Sequence, residues 1–424
     1  MTHRALKLQC VGCGATYDPP RLHCDHCDGL LRSRFSTLAF HPNAQSNLFS
    51  FQAWLPLTAS SDVAIGTTVY PSKGLADHLG LSDLCIAFSG YAPGIGALNP
   101  TGSFKDFEAI PSLLYYREHD ISTLVLASAG NTARAFAYAA VQLDYPVLIV
   151  VPESALPRLW IPCQATDAVR LVVLEGCDDY ATAIRIADLI SETLEIQNEG
   201  GARNVARRDG MSTTLLEYAK QMASLPSHYF QAVGSGTGAI ATWEAAQRLI
   251  AAGVGNRLPI LHLSQNAPFT PLHDAWALGN PIEPDEDIAG QLERIGQIDA
   301  IVLANRMPPY ALPGGVRDAL ASTDGQTYSA TNEEARAASV LFEEAEGLPI
   351  GPAAAVSTAA LIQAVRMGRI APDDATLLHI TGNNESLLQH DLQLHRIQPV
   401  WRVRPEAVSA ETIHATANRL LSSS

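Results

Sequence analysis

A lysine, two small-residue turns, a strand-end threonine and two pairs of cysteines carry the chemistry that can be read in this chain. Asn99-Pro100-Thr101-Gly102-Ser103-Phe104-Lys105-Asp106 is a turn-rich stretch that runs into a helical pattern from Phe107. Lys105 therefore sits at the positive end of a helix and beside small residues. Both favour a neutral amine, the form that adds to a carbonyl to make a Schiff base. Gly234-Ser235-Gly236-Thr237-Gly238 follows an apolar run and precedes a helical one. Bare backbone N–H groups at such a helix start make an anion cradle. The turn has neither the lysine of a nucleotide P-loop nor the spacing of a dinucleotide turn, so a single phosphate is the anion it suits. A glycine turn that only permits close helix packing is the alternative.

Ser128-Ala129-Gly130-Asn131-Thr132 offers hydroxyls, an amide and N–H groups at another helix start. Ser128, Ala129, Gly130 and Thr132 suit a substrate carboxylate, and Asn131 suits a ring hydroxyl. Thr381 ends a strand, where α/β sheets present ligands. A lysine, a phosphate cradle, an amide turn and a strand-end hydroxyl together fit pyridoxal 5'-phosphate, with Lys105 as both its covalent anchor and the base. A phosphate leaving group on the substrate would call for arginine, and Arg134, Arg203, Arg207 and Arg208 are the candidates.

Cys10-Val11-Gly12-Cys13 and Cys24-Asp25-His26-Cys27 are two CxxC knuckles separated by ten residues. Two such turns close a tetrahedron of thiolates, so Cys10, Cys13, Cys24 and Cys27 are expected to hold one structural zinc. Two disulfides, or four empty cysteines, are the alternatives. With every position filled by Cys, such a zinc has no open position for catalysis. His23 and His26 are expected to be bystanders.

Strands and helices must position these groups. Strands are expected over 84–88, 123–127, 147–151, 170–174, 229–233, 260–263 and 376–380. Helices are expected over 133–143, 178–192 with Asp178 as cap, 210–222, from just after the 234–238 turn to about 251, 333–346 and 354–367. Continuous apolar runs such as 147–151, alternating with helices, imply parallel sheets covered on both faces. The expected division is a cysteine element over 1–35, a larger domain over 36–120 and 225–424, and a smaller one over 121–224.

The 424 residues suffice for two or three domains, and 47% hydrophobic against 17% charged residues marks an ordinary globular chain. A formal net charge of −15 argues against a nucleic-acid partner. No apolar run has the length of a membrane span, and the first thirty residues carry no apolar signal core. We expect a cytoplasmic, homo-oligomeric protein with a small-molecule substrate. A zinc-ribbon binding module is the non-enzymatic alternative.

The chain resembles the fold-type II pyridoxal-phosphate enzymes, and within them the threonine synthase family. Segment 99–106 is similar to that family's Schiff-base segment, 128–132 to its asparagine loop and 234–238 to its phosphate loop. Thr381 falls where the family places the partner of the pyridine nitrogen. Longer strings, Glu199-Gly200-Gly201-Ala202-Arg203-Asn204-Val205-Ala206-Arg207-Arg208, His228 to Val233 and Pro308-Pro309-Tyr310, resemble the cysteate synthase branch. Segment 99–106 reads more like threonine synthase. The resemblance implies an α/β, tryptophan synthase β-like fold of two parallel-sheet domains with an N-terminal zinc-ribbon-like element. It also implies a β-replacement on O-phospho-L-serine by sulfite, giving L-cysteate and phosphate. The rivals are threonine formation from O-phosphohomoserine and water, and replacement by another nucleophile.

Overall fold

The computed structural model describes residues 6–128, 130–282 and 287–421. Ala129 of the asparagine loop lies outside the described residues. Two parallel-type sheets dominate. The six-stranded sheet runs in the order Gln326–Ala330, Ile260–Asn266, His228–Ala232, Thr376–Ile380, Leu84–Phe88 and Thr68–Pro71. Its pairs are parallel except the last, which is antiparallel. The five-stranded sheet runs Gln197–Asn198, Leu124–Ala127, Val147–Pro152, Val169–Leu174 and Pro399–Val403, all parallel. Every residue of Leu84–Phe88 and of Val147–Pro152 is buried, as expected of strands covered on both faces. A small antiparallel sheet of Thr16–Tyr17, Lys7–Cys10 and Leu31–Arg34 carries the cysteine knuckles.

Four helices position the site: α1 (Asp106–Glu118), α2 (Asn131–Leu143), α3 (Val205–Met222) and α4 (Thr237–Ala251). Helix α3 packs against both α1 and α4. A Cβ built on Gly210 of α3 would overlap the Phe107 carbonyl oxygen of α1, so only glycine allows the two backbones to meet there. Their contact brings Lys105 and Arg207 to one place.

Three sequence expectations change. Helix α3 begins at Val205, not 210, because Asn204 caps it by accepting from the Ala206 and Arg207 N–H groups. The cap of helix Tyr180–Leu194 is Asp179, not Asp178; its carboxylate accepts from the Ala181 and Thr182 N–H groups at 3.1 Å. Strand Pro399–Val403 pairs with Val169–Leu174, so the end of the chain returns to the five-stranded sheet instead of staying with residues 225–398. Among the described residues no helix is long and apolar enough to cross a membrane.

Candidate active site

The lysine segment is fixed from both sides. The Asn99 side chain pairs with both backbone groups of Gly66, at 2.9 and 3.0 Å. Asp106 accepts from the Thr101 N–H at 3.0 Å and from its hydroxyl at 2.8 Å. Burial pushes the Asp106 carboxyl up to about 7. The Phe104 N–H donates to the Thr381 carbonyl at 3.0 Å, tying the lysine segment to the end of strand Thr376–Ile380. Lys105 is thus held just before α1, and it lines a cavity of about 720 Å³ between the two sheets' loops.

The other sequence candidates meet it there. Ser128, Gly130, Asn131 and Thr132 line the same cavity. The Ser128 hydroxyl accepts from the Gly130 and Ala133 N–H groups at 3.3 and 3.0 Å, which shapes the start of α2. Residues 234–238 form another wall. No side chain caps the start of α4, and Gly236 sits at φ +74° with Val316 Cγ2 where a Cβ would be. A helix start without a side-chain cap, walled by glycine, is what a phosphate needs. Thr381 completes the lining, 6% exposed. A lysine amine and an open helix start in one cavity of this size fit pyridoxal 5'-phosphate.

The arginines separate. Arg203 and Arg207 line the cavity, while Arg134 does not. Arg134 is bonded to the Asn131 side-chain oxygen and to Glu385, and it stacks 4.2 Å over Trp160. It therefore stands behind Asn131, outside the cavity lining in which the sequence reading expects it to meet substrate. Arg207 is already paired, with Glu199 through two bonds of 2.9 and 2.7 Å and with Glu108 at 3.5 Å. Arg203 donates to the Asp28 carbonyl at 3.3 Å and pairs with no carboxylate among the described residues' ion pairs.

Glu108 is the residue that sequence reading missed. It is fully buried, 3.2 Å from Lys105 Nζ, and it accepts from the Thr132 hydroxyl at 2.7 Å. Its spacing from Lys105, three residues along a helix, was the signal available. Burial would push Glu108 up, but Arg207 and Lys105 outweigh it and hold the carboxyl below its ordinary value. Burial pulls the Lys105 amine down, with Glu108 opposing. Burial would also lower Arg207, and the two glutamates reverse the sign.

The four knuckle cysteines also converge. Their sulfurs all lie within 4.8 Å of one another, with Cys10–Cys27 and Cys13–Cys24 at 3.4 Å. Four sulfurs at ~2.3 Å from a tetrahedral centre stand about 3.8 Å apart. None is joined in a disulfide. The donor set therefore fits a single zinc-sized ion. Cys24 is lowered to about 6, chiefly by the Tyr17 hydroxyl at 3.1 Å.

Residues 96–382 match the family described as pyridoxal-phosphate dependent enzyme. The chain belongs to this family. Within it, the chain is 43% identical over 409 residues to the cysteate synthase of Methanosarcina acetivorans, covering 96% of this chain and 98% of that one. It is also 43% identical over 410 residues to the cysteate synthase of Methanocella paludicola, covering 96% of each. Among solved structures, threonine deaminase isoform 2 from Solanum lycopersicum superposes with a TM-score of 0.58 at 15% identity, over 82% of this chain and 93% of that one. That likeness concerns the fold, and the fold-type II architecture expected from the sequence is the one found. The match to the pyridoxal-phosphate dependent family runs from just before the lysine segment to just past Thr381.

Proposed function

We propose that this enzyme converts O-phospho-L-serine and sulfite to L-cysteate and phosphate. The observation that carries the proposal is likeness to cysteate synthases at about 43% identity along almost the whole chain. The cavity is consistent with it. Lys105 would hold pyridoxal 5'-phosphate covalently, residues 234–238 its phosphate, Asn131 its ring hydroxyl and Thr381 its ring nitrogen. The chemistry that the cofactor supplies when bound is an electron sink for the Cα–H bond. Thr381 is neutral, and a neutral partner leaves the ring nitrogen largely unprotonated, which favours elimination and replacement over amine transfer. Ser128, Ala129, Gly130 and Thr132 are assigned to the substrate carboxylate.

Lys105 is the base that takes the α-proton and later returns it. The β-carbon loses its C–O bond to phosphate, and a sulfite sulfur lone pair forms the C–S bond in its place. Arg203 is assigned to the anionic leaving group, because Arg207 is committed to two carboxylates. The knuckle cysteines are assigned one structural zinc.

The test is purified protein supplied with O-phosphoserine and then with O-phosphohomoserine, each with and without sulfite, scored by product mass. Cysteate from the first substrate with sulfite is the expected outcome. Threonine from the second, with the first inert, would replace this function by the threonine synthase one.

A further inference from the structure

Two segments of the cavity wall rest on the four-cysteine element. Leu22, two residues before Cys24, packs directly on Gly200, where a Cβ would overlap Leu22 Cδ2. The Asp28 carbonyl, one residue after Cys27, accepts from Arg203. Arg208, wholly buried, joins the same parts: it donates to the Ala202 carbonyl and to the Leu31 carbonyl, and Glu244 fixes its Nε at 3.1 Å. Directly after the 307–312 wall, the Leu30 N–H donates to the Pro313 carbonyl at 3.0 Å, and Val11 Cβ stands 3.2 Å from where a Gly314 Cβ would be.

The supported turn is weak by itself. Gly200 and Gly201 are consecutive glycines at φ +94° and +55°, and together they bring the chain to Arg203. Glycine has little preference for any one conformation and loses the most freedom on being fixed. The Asn198 and Glu199 side chains accept from the Gly200 and Gly201 N–H groups at 2.9 and 3.0 Å and fix the near side of the turn. The contacts on its far side, Leu22 against Gly200 and the Asp28 carbonyl on Arg203, come from loops whose shape the cysteines set.

We propose that the four-cysteine element is a positioning part of the substrate site. A metal on Cys10, Cys13, Cys24 and Cys27 fixes the knuckle, the knuckle fixes residues 200–203, and Arg203 is thereby presented to the anionic leaving group. Leu22 and Arg208 are positioning residues, acting through Arg203. The inference rests on the substrate proposed above. Its physical content is preorganisation: ordering that the substrate would otherwise impose on binding is done in advance.

The test uses holoenzyme carrying Leu22→Ala. Leu22 is half-buried and is not a metal ligand, so the variant is expected to fold with full metal content and cofactor absorbance. KM for O-phosphoserine should rise about tenfold with kcat within about twofold, the pattern of lost binding and not lost chemistry. The dissociation constant for inorganic phosphate, by calorimetry, should rise in parallel. Leu22→Met should restore both. Removing metal from the folded wild-type enzyme should give the same shift, reversed by added zinc. Wild-type turnover with unmoved KM and phosphate affinity in Leu22→Ala overturns this inference alone, as does a fall in kcat at fixed KM, or a KM independent of metal. A wild-type enzyme that turns over no phosphorylated amino acid overturns the substrate reading and this inference with it.

Discussion

Two buried polar clusters in this protein are built from opposite kinds of partner. Behind the cavity, Lys105, Glu108, Arg207 and Glu199 alternate in sign, each within 3.5 Å of the next. Inside the six-stranded sheet, His228, His262 and Tyr328 form a chain with bonds of 2.9 and 2.8 Å. His379 bonds Tyr229 at 2.8 Å and Ser89 at 3.0 Å. Burial pulls His262 and His379 down to about 3, so both are neutral. In the first cluster every carboxylate meets a cation, which holds the Glu108 carboxyl below its ordinary value and Arg207 above its own. The second meets hydroxyls and imidazoles, with Asp374 only at the His228 edge. Burial alone therefore fixes nothing about charge; the partners decide. The charged cluster lies where we assign the proton transfer.

The sharpest way to break the comparison is at the lysine. Lys105→Ala should abolish turnover and, after borohydride reduction and dialysis, leave no cofactor absorbance on the protein. Full activity would remove the charged cluster's role. Glu108→Gln comes next. Taking one partner from a buried pair costs about 3–5 kcal/mol of stability, to be read by urea unfolding. Glu108 opposes the lowering of the Lys105 amine, so its loss should also move the acidic limb of the kcat–pH profile, where the base must be unprotonated, to lower pH. A limb that stays put would show that the two groups do not communicate.

The neutral cluster should behave otherwise. His262→Asn should cost about 1–3 kcal/mol for buried groups left unbonded, with kcat unchanged. Loss of kcat beyond stability would give the histidine chain a chemical role. The smallest effect is in pH. An imidazole depressed to about 3 in the folded state, against 6.5 unfolded, contributes stability that is complete above pH 6.5. That stability is lost as pH falls toward 3, because the unfolded chain binds the extra proton. Each such histidine adds a slope of at most about 1.4 kcal/mol per pH unit between those limits. Asp106, raised to about 7, slopes the other way from about 4 upward. His379→Asn and His262→Asn should each flatten the histidine slope in denaturant titrations from pH 6 to 4. An unchanged slope would mean that the imidazoles titrate in the folded protein.

What was legible in the sequence follows the same division. Apolar strands such as Leu84–Phe88 and Thr376–Ile380 were found with their observed ends, because a continuous apolar run has one stable destination. The start of α3 was missed because its inward-facing residues, Arg207, Arg208 and Asp209, are charged, and apolar periodicity cannot see a face buried as ion pairs. Glu108 was passed over for the same reason: a glutamate in a first helical turn reads as a favourable surface charge. The return of Pro399–Val403 to the five-stranded sheet was hidden because WRV alternates with prolines and arginines and only its partner strand gives it meaning. The gathering of the lysine, glycine turn and asparagine loop around one cavity was legible, since each sits at a helix start following a strand or tight turn.

Strand pairing in the six-stranded sheet has a consequence for how the chain is made. Leu84–Phe88 has Thr376–Ile380 as its parallel neighbour. At roughly 5–20 residues per second of synthesis, the earlier strand waits on the order of 15–60 s for that neighbour to exist. Its other neighbour, Thr68–Pro71, gives it a two-stranded ribbon and one open edge meanwhile. An apolar strand with an unpaired edge is a template for the wrong partner. A nascent chain of this enzyme thus spends most of its time on the ribosome with its central sheet unfinished, and its yield depends on what shields that edge until residue 380 emerges.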